Sequence, residues 1–328
     1  MGRVNQSTVS EFLILGFSDD AGLQFLPFCA LLMLYSITLM GNLLILTVVA
    51  IDPQLHSPMY FFLTNLSSLD ICYTTATIPK MLTLFLAKRK TVSVPECMAQ
   101  LYFFMSFTST EFFLLTAMAY DRYAAICDPL HYSLVMNKGA CILLAASSWL
   151  TGCLASLPHI VLTSRLSFCH SNVINHIFCD LMPLLKLSCS DTSPVEIATF
   201  MAGGLLGVTS FLLTLASYVY IITTILRIHS MERRRKAFST CSSHLTVVVL
   251  FYTTNMCMYM RPASMYSLDL SKVFSLLYIS VIPMLNPIIY SLRNQDVKTA
   301  LRKITGRTLF FLRGGGQSRP GVTVTLNK

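Results

Sequence analysis

Long apolar segments separated by shorter polar ones form the main pattern of this chain. A helix needs about 20 apolar residues to cross the hydrocarbon core of a bilayer, and seven windows of the sequence meet that requirement. The windows are Phe25–Val49, Pro58–Leu86, Met98–Tyr120, Ala140–Leu162, Ile197–Leu226, His244–Met260 and Val273–Leu292. The pattern therefore predicts an all-α membrane protein, a bundle of seven transmembrane helices whose two ends lie on opposite sides of the membrane.

These windows divide the chain into four regions. Residues 1–24 carry no cleavable signal-peptide pattern and are predicted to be an extracellular segment, in which Asn5 begins an N-glycosylation sequon. The seven-helix bundle takes residues 25–292. Residues 293–305 combine apolar and basic positions, which predicts a short amphipathic cytosolic helix 8 lying on the inner leaflet. Residues 306–328, with three successive glycines, are predicted to be a disordered cytosolic tail.

Charged residues make up 12% of the chain and hydrophobic residues 54%. Soluble domains average about a quarter charged residues, so this composition is typical of a membrane protein. The net charge of +9 could suggest a nucleic-acid partner, but most Lys and Arg side chains fall in segments predicted to lie on the inner side. This bias follows the positive-inside rule and places the carboxyl end in the cytosol, although Lys88–Lys90 goes against it. The expected partner is membrane lipid, not nucleic acid.

Three oxygen-bearing side chains, Asp70, Glu111 and Asn286, fall near the middle of the second, third and seventh windows. Ionisable groups at that depth are costly and are usually paired or functional. Three such groups converging in a medium of low dielectric constant could hold a hydrated sodium ion or share protons. The alternative is an uncharged network of hydrogen bonds that only packs the bundle.

The third window brings three features onto one helical face. At 100° per residue, Phe104, Glu111 and Arg122 fall within about 20° of one another. A rise of about 1.5 Å per residue puts Glu111 roughly 16 Å and Phe104 roughly 27 Å above Arg122. One face would thus carry a cytosolic end, a mid-membrane polar site and an outer patch. Most aromatic or methionine side chains at helical spacing, however, only pack in the hydrophobic core. The outer patch also contains Met105, Thr108 and Ser109.

Four cysteines belong to segments predicted to face the oxidising side of the membrane. Cys97 precedes the third window, and the long loop after the fourth contains Cys169, Cys179 and Cys189. They predict two disulfides, with three possible pairings. The residues around Cys179 include metal-ligand types, but a cysteine in a disulfide is no thiolate ligand, so no metal is predicted there.

Four dispersed motifs occur in order along the chain. They are Pro58–Leu63 followed by Asp70, Met118–Cys127 (MAYDRYAAIC), Lys236–His244 (KAFSTCSSH) and Pro283–Asn294. Together they resemble the motif set of vertebrate odorant receptors, of the class II branch, within the rhodopsin-like G-protein-coupled receptor superfamily. The resemblance covers roughly residues 10–305 and includes the three loop cysteines. Ala124 departs from it, standing where valine is commoner.

The resemblance implies a plasma-membrane receptor that binds small, mainly hydrophobic odorants. It also implies activation of a stimulatory olfactory-type G protein, which raises cyclic AMP in sensory transduction. No enzymatic activity is implied, and no cofactor beyond the sodium ion considered above. Among the three pairings of the outer cysteines, the resemblance selects Cys97–Cys179 and Cys169–Cys189.

The resemblance also assigns residues to two sites. Since the sixth window contains neither proline nor tryptophan, a proline-kink toggle is unavailable, and Tyr252 is expected to sense the ligand by side-chain movement. The candidate odorant-pocket residues are Phe104, Met105, Thr108, Ser109, Gly203, Leu206, Tyr252, Asn255, Tyr259, Leu276 and Ile279. The candidate switch residues for G-protein coupling are Asp121, Arg122, Tyr123, Tyr218, Lys236, His244 and Tyr290.

Three other functions stay open at this point. A ligand-gated channel or transporter could use Asp70 and Glu111 to line an ion path, but the paired repeats typical of such folds are absent from the sequence. A membrane enzyme is disfavoured because the sequence contains no nucleophile–base set and no zinc-ligand spacing. The same receptor fold could also sense a metabolite outside the nose, which the sequence does not distinguish from olfaction.

Overall fold

The computed structural model describes residues 9–16, 21–87, 89–169, 171–259, 268–293 and 296–303. Within them, the backbone alone is described for residues 21–24, 268–270 and 291–293 and for Arg233, Lys236, Ser239, Thr240 and Tyr259. The sequon at Asn5 and the predicted tail at 306–328 lie outside the described residues.

Helices form most of the described chain. They are α1 (Ala21–Ile51), α2 (Pro58–Leu86), α3 (Val94–Cys127), α4 (Tyr132–Val135), α5 (Lys138–Thr163), α6 (Leu181–Leu187), α7 (Ser193–Ala202), α8 (Thr209–Leu226), α9 (Met231–Tyr259), α10 (Leu268–Leu276) and α11 (Ile282–Arg293). A 3-10 turn at Pro53–Leu55 follows α1. Two π-helical turns make longer helices, because Gly203–Val208 joins α7 to α8 and Leu277–Val281 joins α10 to α11.

Five of these helical stretches are long and apolar enough to cross a membrane. They are Phe25–Ile51, Val94–Cys127, Lys138–Thr163, Ser193–Leu226 and Ser271–Tyr290. The helices α2 and α9 have 29 residues each but are more polar, since α2 carries a run of Thr, Ser and Asp side chains and α9 begins in a basic segment. The mainly helical fold is therefore confirmed, and these five stretches fit the predicted membrane location.

The ends of the helices follow local signals that hydropathy alone does not contain. The bounds of α2 agree with the predicted window. The helix α3 begins at Val94, earlier than predicted, because Ser93 and Glu96 form a capping box. The Ser93 hydroxyl accepts a hydrogen bond from the Glu96 amide at 3.3 Å, and the Glu96 carboxylate accepts one from the Ser93 amide at 3.1 Å.

The sixth apolar window, which begins at His244, is part of a longer helix. The helix α9 begins at Met231, so the basic segment before the window is also helical. Hydropathy marks where a chain leaves the lipid, whereas Glu, Arg, Lys and Ala favour helix in water as well. The helix therefore continues past the apolar window.

A three-stranded sheet makes the all-α prediction incomplete. Strand β1 (Glu11–Ile14) pairs antiparallel with β2 (Thr91–Ser93) and parallel with β3 (Val173–Ile174), in the order β2-β1-β3. Phe12 and Ile14 on one face of β1 are buried. Strands of two to four residues carry too few positions for a period-two pattern, so the sequence did not show them.

The helix α3 lies at the centre of the bundle and packs against α2, α5 and α8. Gly152 in α5 permits one of these contacts, because a Cβ atom there would meet the Thr110 side-chain oxygen at 2.1 Å. At the carboxyl end, residues 296–303 are helical, and Val297 and Ala300 are buried. This stretch falls within the predicted helix 8.

Candidate functional site

An aromatic cluster lies in the half of the bundle that contains the amino-terminal part of α3, and it is centred on the buried ring of Phe104. The centroid of this ring lies 5.0 Å from that of Phe178, 5.6 Å from Tyr73 and 6.1 Å from Tyr278. Phe178 comes from the loop between α5 and α7, which therefore closes the cluster from outside. Such rings offer a surface that binds small apolar molecules through dispersion.

The cluster continues inward through α9. The Phe251 ring lies 5.8 Å from Tyr278 and 4.6 Å from Phe112, and Tyr252 lies 5.3 Å from both Phe112 and Phe211. The Tyr252 hydroxyl donates a hydrogen bond of 3.1 Å to Ser210 Oγ in α8. The contact therefore connects the aromatic cluster to the helical stretch Ser193–Leu226.

Buried polar groups adjoin these rings. The Thr108 hydroxyl donates to the Phe104 carbonyl at 2.8 Å, and the Asn255 amide donates to the Phe251 carbonyl at 2.9 Å. The Tyr278 hydroxyl lies close to Thr108 and Asn255. Neither that hydroxyl nor Asn255 Oδ1 forms a hydrogen bond to any residue that the structure describes. A bound molecule with one polar group could therefore be oriented here.

The loop above the cluster is fixed by disulfides. Cys97 is joined to Cys179 and Cys169 to Cys189, the pairing that the resemblance implied. The Cys179 amide also donates to Gln100 Oε1 at 3.0 Å. Among the described residues no group of three His, Cys, Asp or Glu side chains could hold a metal ion.

Two ionisable residues of this loop are buried. Burial lowers the pKa of His176 to about 4, against the opposing effect of a hydrogen bond to the Phe178 carbonyl, so the imidazole is neutral at pH 7. Burial raises the pKa of Asp180 to about 6, although its hydrogen bond from the Leu181 amide favours the carboxylate.

Asp70, Glu111 and Asn286 lie together in the middle of the bundle, and all three are buried. The Asn286 amide donates to both carboxylate oxygens of Asp70, at 3.0 Å and 3.2 Å. The Glu111 carboxyl is close enough to Asp70 for the two charges to interact, and Glu111 Oε1 has no hydrogen-bond partner among the described residues. Two buried acids without a described basic partner need a cation or a proton.

Near the carboxyl-terminal end of α3, Asp121 is fully buried and joins two side chains. It accepts a hydrogen bond of 3.0 Å from Arg122 Nε and a second one from the same guanidinium. It also accepts a hydrogen bond of 2.8 Å from the hydroxyl of Tyr132, in the short helix α4. Arg122 is therefore held by its neighbour and has a side chain only 12% exposed.

The inner ends of α8 and α9 are joined by a buried contact. The Tyr218 hydroxyl lies 2.5 Å from His244 Nδ1, and both residues are buried, as is Tyr290 in α11. Tyr123 lies apart from this group, stacked on Tyr120 with a centroid distance of 6.2 Å. The side chain of Lys236 lies outside the described ones. The contact between Tyr218 and His244 thus holds α8 and α9 together at this end of the bundle.

The sequence model of the family described as "Olfactory receptor" matches residues 28–307 of this chain. Olfactory receptor 5AR1 of Mus musculus is 48% identical over 94% of this chain and 99% of its own length. Olfactory receptor 1G1 of Gorilla gorilla gorilla is 49% identical over 92% of this chain and 96% of its own length. Olfactory receptor 1L4 of Homo sapiens is 50% identical over 92% of this chain and 97% of its own length. The chain belongs to the olfactory receptor family.

Olfactory receptors are multi-pass proteins of the plasma membrane and act in sensory transduction as G-protein-coupled receptors, not as enzymes. The resemblance drawn from the dispersed motifs is therefore confirmed. The apolar helical stretches of this receptor agree with a membrane location.

Phe104 and Tyr252 of the predicted pocket belong to the aromatic cluster of this receptor, and Thr108 and Asn255 adjoin it. Phe104, Thr108, Tyr252, Asn255 and Ile279 are buried. The half-buried members are Met105, Ser109, Leu206 and Leu276. The side chain of Tyr259 lies outside the described ones.

Gly203 does not pack against the cluster of the receptor. It is exposed, and no atom lies within 4 Å of the position that a Cβ would take. The prediction rested on the resemblance and on depth in the membrane, whereas Gly203 opens a π-helical turn, which rotates the residues on either side of it relative to one another.

Sequence reasoning missed several residues of this olfactory receptor's cluster. Phe178 had a usable signal, because it precedes a cysteine that a disulfide anchors at the top of α3. The others gave no signal beyond an apolar or polar position on a helix, and their roles depend on neighbouring helices. They are Tyr73, Phe112, Ser210, Phe211 and Tyr278.

Proposed function

We propose that this chain is an odorant receptor that binds small, mainly hydrophobic volatile molecules in the outer half of a bundle of seven transmembrane helices. Its amino end would face outside and its carboxyl end the cytosol, with the helix at 296–303 on the inner leaflet. The occupied receptor would activate a stimulatory olfactory-type G protein and raise cyclic AMP. The observation that carries the proposal is that α3 bears Phe104 of the aromatic cluster at one end and Arg122 at the other.

Binding would rearrange the cluster. The Phe104 ring contacts those of both Phe178 and Tyr278, so a ligand must take the place of ring–ring contacts. Most of its binding free energy would come from dispersion, with Asn255 or the Tyr278 hydroxyl orienting one polar group. Small differences in ligand shape would then change affinity by about 1–3 kcal/mol.

Tyr252 would connect ligand binding to the inner face. A ligand that contacts this ring competes with its packing on Phe112 and with its hydrogen bond to Ser210. Movement of α9 away from α8 would then break the contact between Tyr218 and His244 and free a binding surface for a G-protein helix. Activation is thus a population shift, and the ligand must bind the open state more tightly than the closed one.

The experiment that tests this function uses Arg122→Ala in cells that report cyclic AMP. Arg122 would be the guanidinium that the G-protein helix meets, so we expect the variant to reach the cell surface and to lose the response to odorants. Arg227→Ala, at the exposed end of α8, is the matched control and should respond like the wild type. An unchanged dose response in Arg122→Ala would contradict the mechanism, and a ligand-dependent current without a G protein would favour a channel.

We also propose that Asp70, Glu111 and Asn286 hold a sodium ion. Their oxygens are hard ligands, and the unpartnered Glu111 Oε1 fits such a role. Sodium chloride should therefore raise the melting temperature of the purified receptor more than the same concentration of N-methylglucamine chloride, by an amount equivalent to about 1 kcal/mol at saturating concentrations. Asp70→Asn should lose this difference and Glu96→Gln, at an exposed carboxylate, should keep it. Equal melting temperatures in the two salts for the wild type would exclude the ion.

A further inference from the structure

Lys272 is a buried cation at the outer end of the bundle. It lies in α10 and is only 8% exposed. Lysine is rarely buried to this extent without a partner, because removing an unpaired ammonium group from water is costly. Among the side chains that the structure describes, no carboxylate forms an ion pair with Lys272, and the outer ion pair Lys80–Glu96 joins α2 to α3 instead.

The neighbours of Lys272 lead directly into the aromatic cluster. Ser275 follows one turn later in α10, and its Oγ lies 3.3 Å from Nε2 of His176. The His176 ring lies 5.0 Å from the ring of Phe178, which lies 5.0 Å from that of Phe104. An amine, a hydroxyl and an imidazole thus border the outer side of a surface made of aromatic rings.

Charge in this group comes from Lys272. Burial is the main cause that lowers the pKa of His176 to about 4, and the nearby positive charge of Lys272 lowers it further, so the imidazole is uncharged at pH 7. The one N–H of the neutral ring, on Nδ1, donates to the Phe178 carbonyl, so Nε2 accepts the hydrogen bond from the Ser275 hydroxyl. The group therefore offers an anion one positive charge and, when the Ser275 hydroxyl turns from His176 toward it, one neutral donor.

We propose that Lys272 binds the carboxylate of the ligand, and that the ligands of this receptor include small amphipathic carboxylic acids. The inference rests on the proposed odorant-binding function and specifies the chemical class that the outer site recognises. The carboxylate would pair with the ammonium group and accept a hydrogen bond from the Ser275 hydroxyl, which is stronger when the acceptor is charged. The hydrocarbon chain would pack on Phe178 and Phe104. An alcohol or ester of the same length leaves the ammonium group unpaired and binds less tightly.

The test compares straight-chain acids of four to ten carbons with the alcohols and methyl esters of the same length. Cells expressing the wild type or one of three variants are assayed for cyclic AMP and for surface receptor. Lys272→Gln removes the charge, Lys272→Arg retains it, and Lys186→Gln removes a lysine of α6 in the outer loop as the matched control. The same ligands are added to the purified receptor, and its melting temperature is recorded, which measures binding without signalling.

The acids should activate the wild type at lower concentrations than the alcohols and esters. Lys272→Gln should raise the half-maximal concentration for the acids roughly tenfold or more, with little change for neutral ligands, and Lys272→Arg and Lys186→Gln should stay near the wild type.

If neutral ligands match the acids in the wild type, or if Lys272→Gln weakens all ligands equally, the carboxylate site is wrong while the receptor function stands. If the acids raise the melting temperature of the wild type and not of Lys272→Gln but no cyclic AMP appears, the site stands and the signalling proposal fails. If no ligand of the panel produces either effect, the acid-binding proposal is rejected.

Discussion

Asp180 is a buried carboxyl beside a disulfide cysteine, and it is the amino-terminal cap of α6. Its Oδ1 accepts a hydrogen bond of 2.7 Å from the Leu181 amide, yet burial raises the pKa of the group to about 6. A carboxyl whose pKa is higher in the folded than in the unfolded chain binds its proton more tightly when folded. Ionisation of Asp180 therefore costs stability, which falls as pH rises from about 4 to about 6 and stays low above that.

Asp180→Asn should remove this cost and keep the cap, because the amide oxygen can still accept the Leu181 hydrogen bond. At pH 7 the variant should be more stable than the wild type by on the order of 2–3 kcal/mol, and the difference should vanish near pH 4. The measurement is the melting temperature of the purified receptor between pH 4 and pH 8. Asp191→Asn, at a fully exposed carboxyl whose pKa is lowered by hydrogen bonds from Ser193, is the control and should show no such gain. A gain that is the same at every pH would point to a cause other than ionisation.

At the scale of elements, the approach of α5 to α3 depends on the absence of one side chain. A Cβ at Gly152 would meet Thr110 Oγ1 at 2.1 Å and the Ser106 carbonyl at 2.6 Å, and the second of these is backbone that does not rotate away. In contrast, a Cβ at Gly204 would meet no atom within 4 Å. Both glycines lie in helical stretches, so they differ mainly in what the added methyl group meets.

Gly152→Ala should therefore destabilise the receptor by about 1–3 kcal/mol through overpacking. Gly204→Ala should leave stability unchanged or raise it by up to about 1 kcal/mol, since alanine favours helix over glycine. The folded fraction that survives heating can be measured by size-exclusion chromatography for both variants. Equal losses in the two variants would show that the contact between α3 and α5 is looser than described.

At the scale of the whole molecule, an amino-terminal strand holds the loop that covers the candidate pocket. The Leu13 amide donates to the Asn172 carbonyl at 2.7 Å, and the Gly16 amide donates to the His176 carbonyl at 3.0 Å. Gly16 has φ of 72°, a conformation that favours glycine. The strand thereby positions the segment from His176 to Phe178, which lies over Phe104.

Phe12 anchors this strand, with its ring fully buried and 5.1 Å from Phe168. Phe12→Ala should cost about 3–5 kcal/mol, the usual loss for a buried phenylalanine, and should reduce receptor at the cell surface. Glu11→Ala, at an exposed position of the same strand, should have little effect. Surface staining and the melting temperature of both variants test this, and a wild-type level for Phe12→Ala would show that the strand is dispensable.

Patterns that are local in the chain could be read correctly from the sequence. The apolar windows predicted most of the helices, because burial in lipid requires long apolar stretches. Helical spacing put Phe104, Glu111 and Arg122 on one face, and all three side chains are largely buried. Charged and amide groups at one depth predicted the meeting of Asp70 with Asn286, since each is too costly to leave without a partner.

Only the tertiary structure decided which distant segments meet. The pairing of β1 with two outer strands, the contact of Phe178 with Phe104 and the burial of Lys272 all depend on the path of the loops. The exposure of Gly203 depends on a π-helical turn, and no repeating pattern of apolar and polar residues marks such a turn in the sequence. Apolar periodicity therefore determined which faces are buried, whereas the loops and helix irregularities determined what each buried face contacts. The physical reason is that periodicity reports the environment of a residue, while a contact depends on the position of a second segment that the local sequence does not encode.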